Sequence, residues 1–137
     1  MDDLFKTFKI SAAGMKAQGT RLRVISENIA NADSLPQSPG ATPYRRKTVT
    51  FKNMLNRGVG FDTVQIRKID TDRSEFTKKY DPTHPGADSD GYVLTPNVNT
   101  LLEMMDMREA QRSYEANLNV IETARSMDLR TLDLLKK

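Results

Sequence analysis

The sequence predicts a mainly α-helical protein with a small β-rich module between two long terminal helices, which pack as an antiparallel coiled-coil-like pair. Apolar residues recur at helical spacing at both ends of the 137-residue chain. Prolines interrupt the chain after the first helix, and the middle alternates as strands do. At about 1.5 Å per residue, the helices would be rods of roughly 45 and 55–60 Å, too long for the remaining chain to cover. The predicted segments are an N-terminal helix over 1–32, a proline-rich linker over 33–43, a β-rich module over 44–95 and a C-terminal helix over 96–137.

The N-terminal helix carries a regular apolar stripe. Its large members recur every seven residues, at Phe8, Met15, Leu22 and Ile29. Small side chains follow the first three of these by four residues, at Ala12, Gly19 and Ser26. Such a stripe fits the core-facing side of a small bundle or a coiled-coil seam, and the length of the helix favours the seam. Gly14 and Gly19 each cost about 1 kcal/mol of helix propensity, which indicates that this helix needs packing partners.

The middle of the chain has the pattern of short strands joined by turns. Val49 and Phe51 alternate with threonines, and Val64 and Ile66 flank a glutamine. Further extended segments are expected over 75–80 and 92–95, on either side of a run dense in Pro, Gly and Asp. A β-rich module of roughly 50 residues buries too little apolar surface to be robust alone, so we expect it to depend on the helices.

The C-terminal helix is predicted to begin with a capping box formed by Thr100 and Glu103. Glu109, Arg112 and Glu115 follow at spacings of three on its polar side, where they keep that face solvated or pair with neighbouring subunits. Its apolar stripe consists of Met104, Met107, Ala110, Tyr114, Leu118, Ile121, Ala124, Leu132 and Leu135.

Two sets of residues are predicted to carry an assembly role. The residues expected to pack between subunits are Phe8, Met15, Leu22, Ile29, Met107, Tyr114, Leu118 and Ile121. The residues expected to set register are Asn28, Asn31 and Asn117, because asparagine in a packed interface requires a hydrogen-bond partner. The alternatives are a helix C-terminal role for Asn31 and a surface position for the other two.

The residue types that most enzymes need are scarce. The chain has no cysteine, which excludes disulfides, thiol catalysis and cysteine metal sites. The single histidine, His84, lies between prolines and is interpreted as a loop residue. Asp88 and Asp90 fit a turn better than a calcium loop, and no phosphate-binding or dinucleotide motif occurs. We therefore expect no catalytic residues, no metal and no cofactor.

Charge and hydropathy give little support for nucleic acid or membrane as a partner. The net charge is +3 and the mean hydropathy is −0.60. The run from Tyr44 to Lys47, with Arg45 and Arg46, is the best candidate for a polyanion site, but it is short. No apolar run approaches the roughly 20 residues of a membrane span, and the start of the chain does not read as a cleaved signal peptide. We expect neither nucleic-acid binding nor membrane insertion.

Three sequence phrases resemble the bacterial flagellar basal-body rod family. Ser26-Glu-Asn-Ile-Ala-Asn-Ala-Asp-Ser34 is similar to the N-terminal signature of flagellar rod and hook proteins, and Tyr114-Glu-Ala-Asn117 to the matching C-terminal signature. The series Tyr80-Asp-Pro-Thr-His-Pro-Gly-Ala-Asp88, Asp90-Gly-Tyr-Val93 and Pro96-Asn-Val-Asn99 is more specific, and looks like the proximal rod members of the family. The proline-rich segment 33–43 is an insertion relative to this pattern.

The resemblance implies a structural subunit of the proximal rod, with the terminal helices in an inner helical layer and the middle module outside. It implies assembly with copies of the chain and other rod proteins, with the membrane ring at the rod base as a further candidate partner. It also implies export by the flagellar type III apparatus and a periplasmic location in the basal body. The alternative is a soluble coiled-coil adaptor or chaperone of the export machinery.

Overall fold

The computed structural model describes residues 2–56 and 60–135. In chain order the described elements are helix α1 (Asp2–Ala30), strands β1 (Lys47–Asn56), β2 (Phe61–Thr71), β3 (Thr77–Tyr80) and β4 (Tyr92–Thr95), and helix α2 (Thr100–Leu135). The helices have 29 and 36 residues, and the strands form two two-stranded sheets, β1 with β2 and β3 with β4. The predicted fold class, two long terminal helices with a small β module between them, is confirmed.

The chain divides into two compact units. Unit 1 comprises Met1–Leu22, Thr50–Lys68 and Arg108–Lys137, and unit 2 comprises Arg23–Val49 and Ile69–Met107. Each unit therefore contains a part of both helices and a part of the β1–β2 ribbon. The predicted segments follow chain order, whereas the units gather pieces that are distant in sequence.

In unit 1 the two helices pack through small side chains. Ala17, Ala110 and Ala124 are each at most 4% exposed. A Cβ atom built on Gly14 would lie 2.9 Å from Oδ1 of Asn117, so the absent side chain makes room for this amide. One heptad further along α1, Arg21 forms an ion pair of 3.4 Å with Glu109. Because α1 numbers rise while α2 numbers fall, the helices run antiparallel, as predicted.

Unit 2 has a small core in which polar groups are as deeply buried as apolar ones. Val24 and Val93 are 2% and 0% exposed, and Asn28 and Glu103 are each 1% exposed. Strands β3 and β4 are antiparallel, with Tyr80 opposite Tyr92. Buried polar groups require hydrogen-bond partners, so this core specifies its contacts more narrowly than an apolar core would.

The loop between β3 and β4 is fixed by its own hydrogen bonds. Oδ1 of Asp88 accepts from the backbone N–H groups of Asp90 and Tyr92 at 3.0 and 2.8 Å, and Gly91 takes a φ of 81°. These contacts are those of a turn before β4, as the sequence indicated. A Cβ on Gly86 would overlap the carbonyl oxygen of Pro36, so this loop packs tightly on the proline-rich segment.

The predicted capping box at the start of α2 is wrong. Asn99 is the capping residue, because its Oδ1 accepts from the N–H groups of Leu101 and Leu102 at 3.1 and 3.3 Å. Asparagine is a better helix cap than threonine, and it stands one position before Thr100. The side chain of Glu103 binds Asn28 and Arg46 instead of a free N–H of its own helix.

Candidate functional site

A buried polar cluster in unit 2 joins the end of α1 to the start of β1 and of α2. Its centre is Asn28, whose Oδ1 accepts from the Tyr44 hydroxyl and from the Lys47 backbone N–H, each at 2.8 Å. Its Nδ2 donates to the Lys47 carbonyl at 2.8 Å and to Glu103 at 3.0 Å. An asparagine amide has two donors and two strong acceptor positions. All four are used, so a single side chain positions three elements.

Glu103 is the buried charge of this Asn28 cluster. One of its oxygens accepts from Asn28 and the other from Nε of Arg46. Arg46 also lies 3.8 Å from Asp72 and 3.6 Å from Asp106. A buried carboxylate is costly unless it is paired and hydrogen-bonded, and this one is both. The Arg46 guanidinium therefore neutralises the carboxylate at the start of α2.

A second ion pair lies at the edge of the cluster. Nζ of Lys47 lies 2.8 Å from Glu27, which also pairs with Arg23 at 3.1 Å. The hydrogen bond from Lys47 lowers the pKa of Glu27, and the same bond raises the pKa of Lys47. Burial raises the pKa of the Tyr44 hydroxyl. At neutral pH the pair is thus charged and the tyrosine is a donor, which is the state that the hydrogen bonds require.

Asn97 supports the cluster from the loop before α2, a role that was not predicted from its place in a sequence motif. Its Oδ1 accepts from the backbone N–H of Arg46 at 2.8 Å. Its Nδ2 donates to the Asp72 carbonyl and to the Ser74 hydroxyl, each at 3.0 Å. Hydrogen bonds from Ser74 lower the pKa of Asp72. The signal that could have indicated Asn97 is its position in the Pro-Asn-Val-Asn phrase directly before a helix.

The side chains of the basic run from Arg45 to Lys47 are engaged in contacts within the subunit. Arg46 and Lys47 are ion-paired within the cluster. The guanidinium of Arg45 lies 4.3 Å from the ring centre of Phe76 and donates to the Asp72 carbonyl. Because its cations are engaged, this run does not form the open basic patch that a polyanion would need.

The predicted packing residues of α1 lie beside its contact with α2. The positions that contact α2 are spaced by seven, at Gly14, Arg21 and Asn28. Met15, Leu22 and Ile29 follow these positions by one residue, and Phe8 precedes Met15 by seven. One residue turns the helix by about 100°, so this stripe lies to the side of the contact and is half-buried. It is placed where another subunit could reach it.

On α2 the predicted packing residues differ in exposure. Met107, Tyr114 and Ile121 are half-buried, while Leu118 is 37% exposed. Of the asparagines, Asn28 and Asn117 contact the partner helix and do not lie on the open surface. Asn31 donates to the Glu27 carbonyl of its own helix at 2.8 Å, which fits the helix C-terminal alternative. A role of these residues between subunits stays a prediction.

Helix α2 exposes an unusual amount of apolar surface. Four large side chains in its first two turns are each more than half exposed, from Leu101 at 68% to Met104 at 52%. Contiguous exposed apolar surface in a soluble protein marks an interaction site. The exposed apolar side chains among the described residues of α2 are Leu101, Leu102, Met104, Met105, Leu118, Val120, Met127, Leu129, Leu132 and Leu134.

Residues 2–56 and 60–135 lack two other kinds of site. Neither helix there combines the length and the apolar character that crossing a bilayer requires. Within the same ranges, no group of three or more His, Cys, Asp or Glu side chains is arranged to hold a metal ion.

Comparison with known proteins matches both ends and nearly the full length of the chain. Residues 8–34 match the family described as flagella basal body rod protein, and residues 89–134 match the C-terminal family of flagellar basal body rod FlgEFG proteins. The flagellar basal-body rod protein FlgC of Agrobacterium fabrum is 53% identical over 99% of this chain and 98% of its own length. FlgC of Borreliella burgdorferi is 38% identical over 97% and 98%, and that of Escherichia coli O6:H1 is 41% identical over 96% and 97%. The predicted resemblance is thus confirmed, and the chain belongs to the FlgC family of flagellar basal-body rod proteins.

Proposed function

We propose that this chain is a structural subunit of the flagellar basal-body rod, where it assembles with copies of itself and other rod proteins into the helical drive shaft that transmits torque. The observation that carries the proposal is the row of exposed apolar side chains on α2, in a chain related to rod proteins over nearly its whole length. Covering these side chains with neighbouring subunits removes apolar surface from water, which is favourable. Repeated over a lattice, individually weak contacts hold the shaft together.

The packing residues named from the sequence are assigned to these contacts. Met15 and Leu22 lie half-buried beside the contact with α2, at the side of α1 that this proposal assigns to a neighbouring subunit. Asn28 and Asn117 contact the partner helix, so they fix how α1 and α2 are held against each other in their units. In this proposal they set the register in which the packing residues are presented to other subunits.

The proposal also covers location and partners. We place the subunit in the proximal, periplasmic part of the rod, next to the membrane-ring protein at its base, after export by the flagellar type III apparatus. It has no catalytic role and needs no cofactor. The support is the description of its relatives as basal-body rod proteins and the use of its charged cluster for internal pairing.

The alternative, a soluble coiled-coil adaptor or chaperone of the export machinery, is not favoured. The proteins that resemble this chain over nearly its full length are described as rod proteins. An adaptor would also be expected to cover its apolar helix faces in a discrete dimer. Circular dichroism and limited proteolysis of the purified chain separate the two readings, because a discrete dimer with both ends protected would support the adaptor.

The decisive experiment is deletion of the gene, followed by imaging of the residual basal bodies and complementation with variants. Leu22→Asp and Tyr114→Asp each place a charge in the proposed packing surface, so the subunit should be made while the rod is not completed. Lys78→Asp, on the exposed strand β3, is the matched control and should restore motility. Normal basal bodies in the deletion strain would refute the rod function, and motile cells carrying Leu22→Asp would refute only the packing surface.

A further inference from the structure

Unit 1 carries a basic row on the outer side of α1. Lys9 and Lys16 are seven residues apart and both are exposed. Lys16 follows Gly14, the position that contacts α2, by two residues, which is about 200° around the helix. The only described contact of either ammonium group is that of Lys9 with the Phe5 ring, at 4.5 Å from the ring centre. The two charges therefore lie on the side of α1 that faces away from α2, where Lys16 also borders the cavity that α1 shares with Val64–Ile66 of β2.

The outer side of α2 carries the opposite charge at the same spacing. Glu115 and Glu122 are also seven residues apart and exposed. Glu115 precedes Asn117, which contacts Gly14, by two residues, and Glu122 precedes the buried Ala124 by two. Among the described ion pairs neither glutamate takes part. Unit 1 thus has a pair of lysines and a pair of glutamates on opposite sides of its helix pair.

The antiparallel register sets these edges at matching heights. Gly14 is level with Asn117 in unit 1. Counting two residues forward on α1 and two back on α2 makes Lys16 level with Glu115. Counting from there seven residues back on α1 and seven forward on α2 makes Lys9 level with Glu122. A second copy placed beside the first, pointing the same way, brings basic and acidic rows together without an axial shift.

The spaces between the charges also match. Ala12 lies between the two lysines and is level with the exposed Asn119. Gly19 is level with Arg112, and a Cβ on Gly19 would meet no atom within 4 Å. When two copies lie side by side, small residues on the α1 edge of one copy are therefore opposite larger polar residues on the α2 edge of the other. The Arg112 side chain can pack against Gly19, away from the positive charge of Lys16.

We propose that unit 1 forms a side-by-side contact between two copies of this chain, in which the α1 edge (Lys9, Ala12, Lys16 and Gly19) docks on the α2 edge (Arg112, Glu115, Asn119 and Glu122) of a second copy. The inference rests on the proposed rod function and names one partner within it. The two edges differ, so each copy keeps one edge free after docking, and the contact repeats around a ring or along a helix. Complementary rows also orient the copies during assembly.

Charge reversal in cells tests the pairing. Lys9→Glu with Lys16→Glu turns two attractions into repulsions, and Glu115→Lys with Glu122→Lys does the same from the other edge, so each double variant should lower the motile fraction about tenfold. The quadruple variant restores opposite charges and should recover motility. Lys78→Glu with Lys79→Glu, on β3, is the matched control and should remain motile. Full motility of a lysine-reversed strain, or a quadruple variant no better than the doubles, would overturn the proposal.

Disulfide trapping tests whether a second copy of this chain is the protein that contacts the α1 edge. The native chain has no cysteine, so Ala12→Cys in one tagged copy and Asn119→Cys in a second copy can join only across copies. In basal bodies isolated from motile cells that express both, we expect a heterodimer that reduction separates, and none when Lys78→Cys replaces Asn119→Cys. If the cells are motile and no heterodimer forms, or if Ala12→Cys joins a different protein, the contact is refuted while the rod function stands. Absence of the tagged chain from basal bodies would instead refute the rod function.

Discussion

The side chain of Asn28 pairs with both backbone groups of Lys47, as a neighbouring strand would. The Lys47 N–H donates to Oδ1 and the Lys47 carbonyl accepts from Nδ2, each at 2.8 Å. Lys47 is the first residue of β1. The last turns of α1 therefore position the first residue of the β1–β2 ribbon. Glu103 of α2 accepts a hydrogen bond from the same Asn28 amide, so α2 is held at the same place. The sequence phrase that is shared with rod proteins thus contains the residue that organises unit 2.

Replacing Asn28 should destabilise the isolated subunit strongly. Asn28→Ala removes the side-chain partner of both Lys47 backbone groups and one of the two partners of Glu103, and each buried polar group left unpaired costs about 1–3 kcal/mol. Urea unfolding followed by circular dichroism measures the loss. Asn31→Ala is the matched control, since Asn31 bonds the Glu27 carbonyl of its own helix and is half-exposed. Equal midpoints for the two variants would contradict the assigned role of Asn28.

Arg46 and Arg45 are neighbours in sequence with different expected effects. Arg46→Met removes the cation that pairs with the buried Glu103, and an uncompensated buried charge costs about 3–5 kcal/mol. Arg45→Met removes a guanidinium that lies over the Phe76 ring and bonds only to carbonyls, so its effect should be much smaller. Thermal unfolding of both variants checks this order. A less stable Arg45→Met than Arg46→Met would show that the cluster is not centred on Glu103.

The two glycines of α1 should respond in different ways to alanine. Gly19→Ala adds a methyl group where no atom lies within 4 Å, so it should stabilise the isolated subunit by about 1 kcal/mol through helix propensity. Gly14→Ala places the methyl group against the Asn117 amide, so displacement of that side chain should cancel the gain. Denaturation midpoints of the two variants measure the difference. A gain of the same size at Gly14 would mean that the position of the Asn117 amide does not depend on the space left beside Gly14.

The helices and the alternating strands could be predicted because both depend on local spacing. The seven-residue spacing of large apolar residues predicts α1 from the sequence alone. The same spacing relates Gly14, Arg21 and Asn28, the residues of α1 that contact α2. The Asn28 cluster could not be predicted in this way, because its partners lie 19 and 75 residues away in the chain. Spacing indicates which side of a helix a residue occupies but not what approaches that side. The assignment of Glu103 to a cap and the choice of Arg46 as a candidate for polyanion contact were both interpretations from local sequence, whereas the partners of these residues are distant in the chain.

Acid should weaken the subunit partly through Glu27. The Lys47 hydrogen bond holds the pKa of Glu27 below its ordinary value of 4.5. A carboxyl group with a depressed pKa in the folded state contributes stability that is full above its unfolded pKa and is lost as pH falls through its folded pKa. Glu27→Gln should therefore lower the urea midpoint near neutral pH, and the gap to the parent should close as pH falls below 4.5. Glu75→Gln, an exposed carboxyl group outside the described ion pairs, is the control and should leave the midpoint unchanged. A gap between parent and Glu27→Gln that stays constant from neutral to acid pH would show that the Lys47 pair adds no pH-dependent stability.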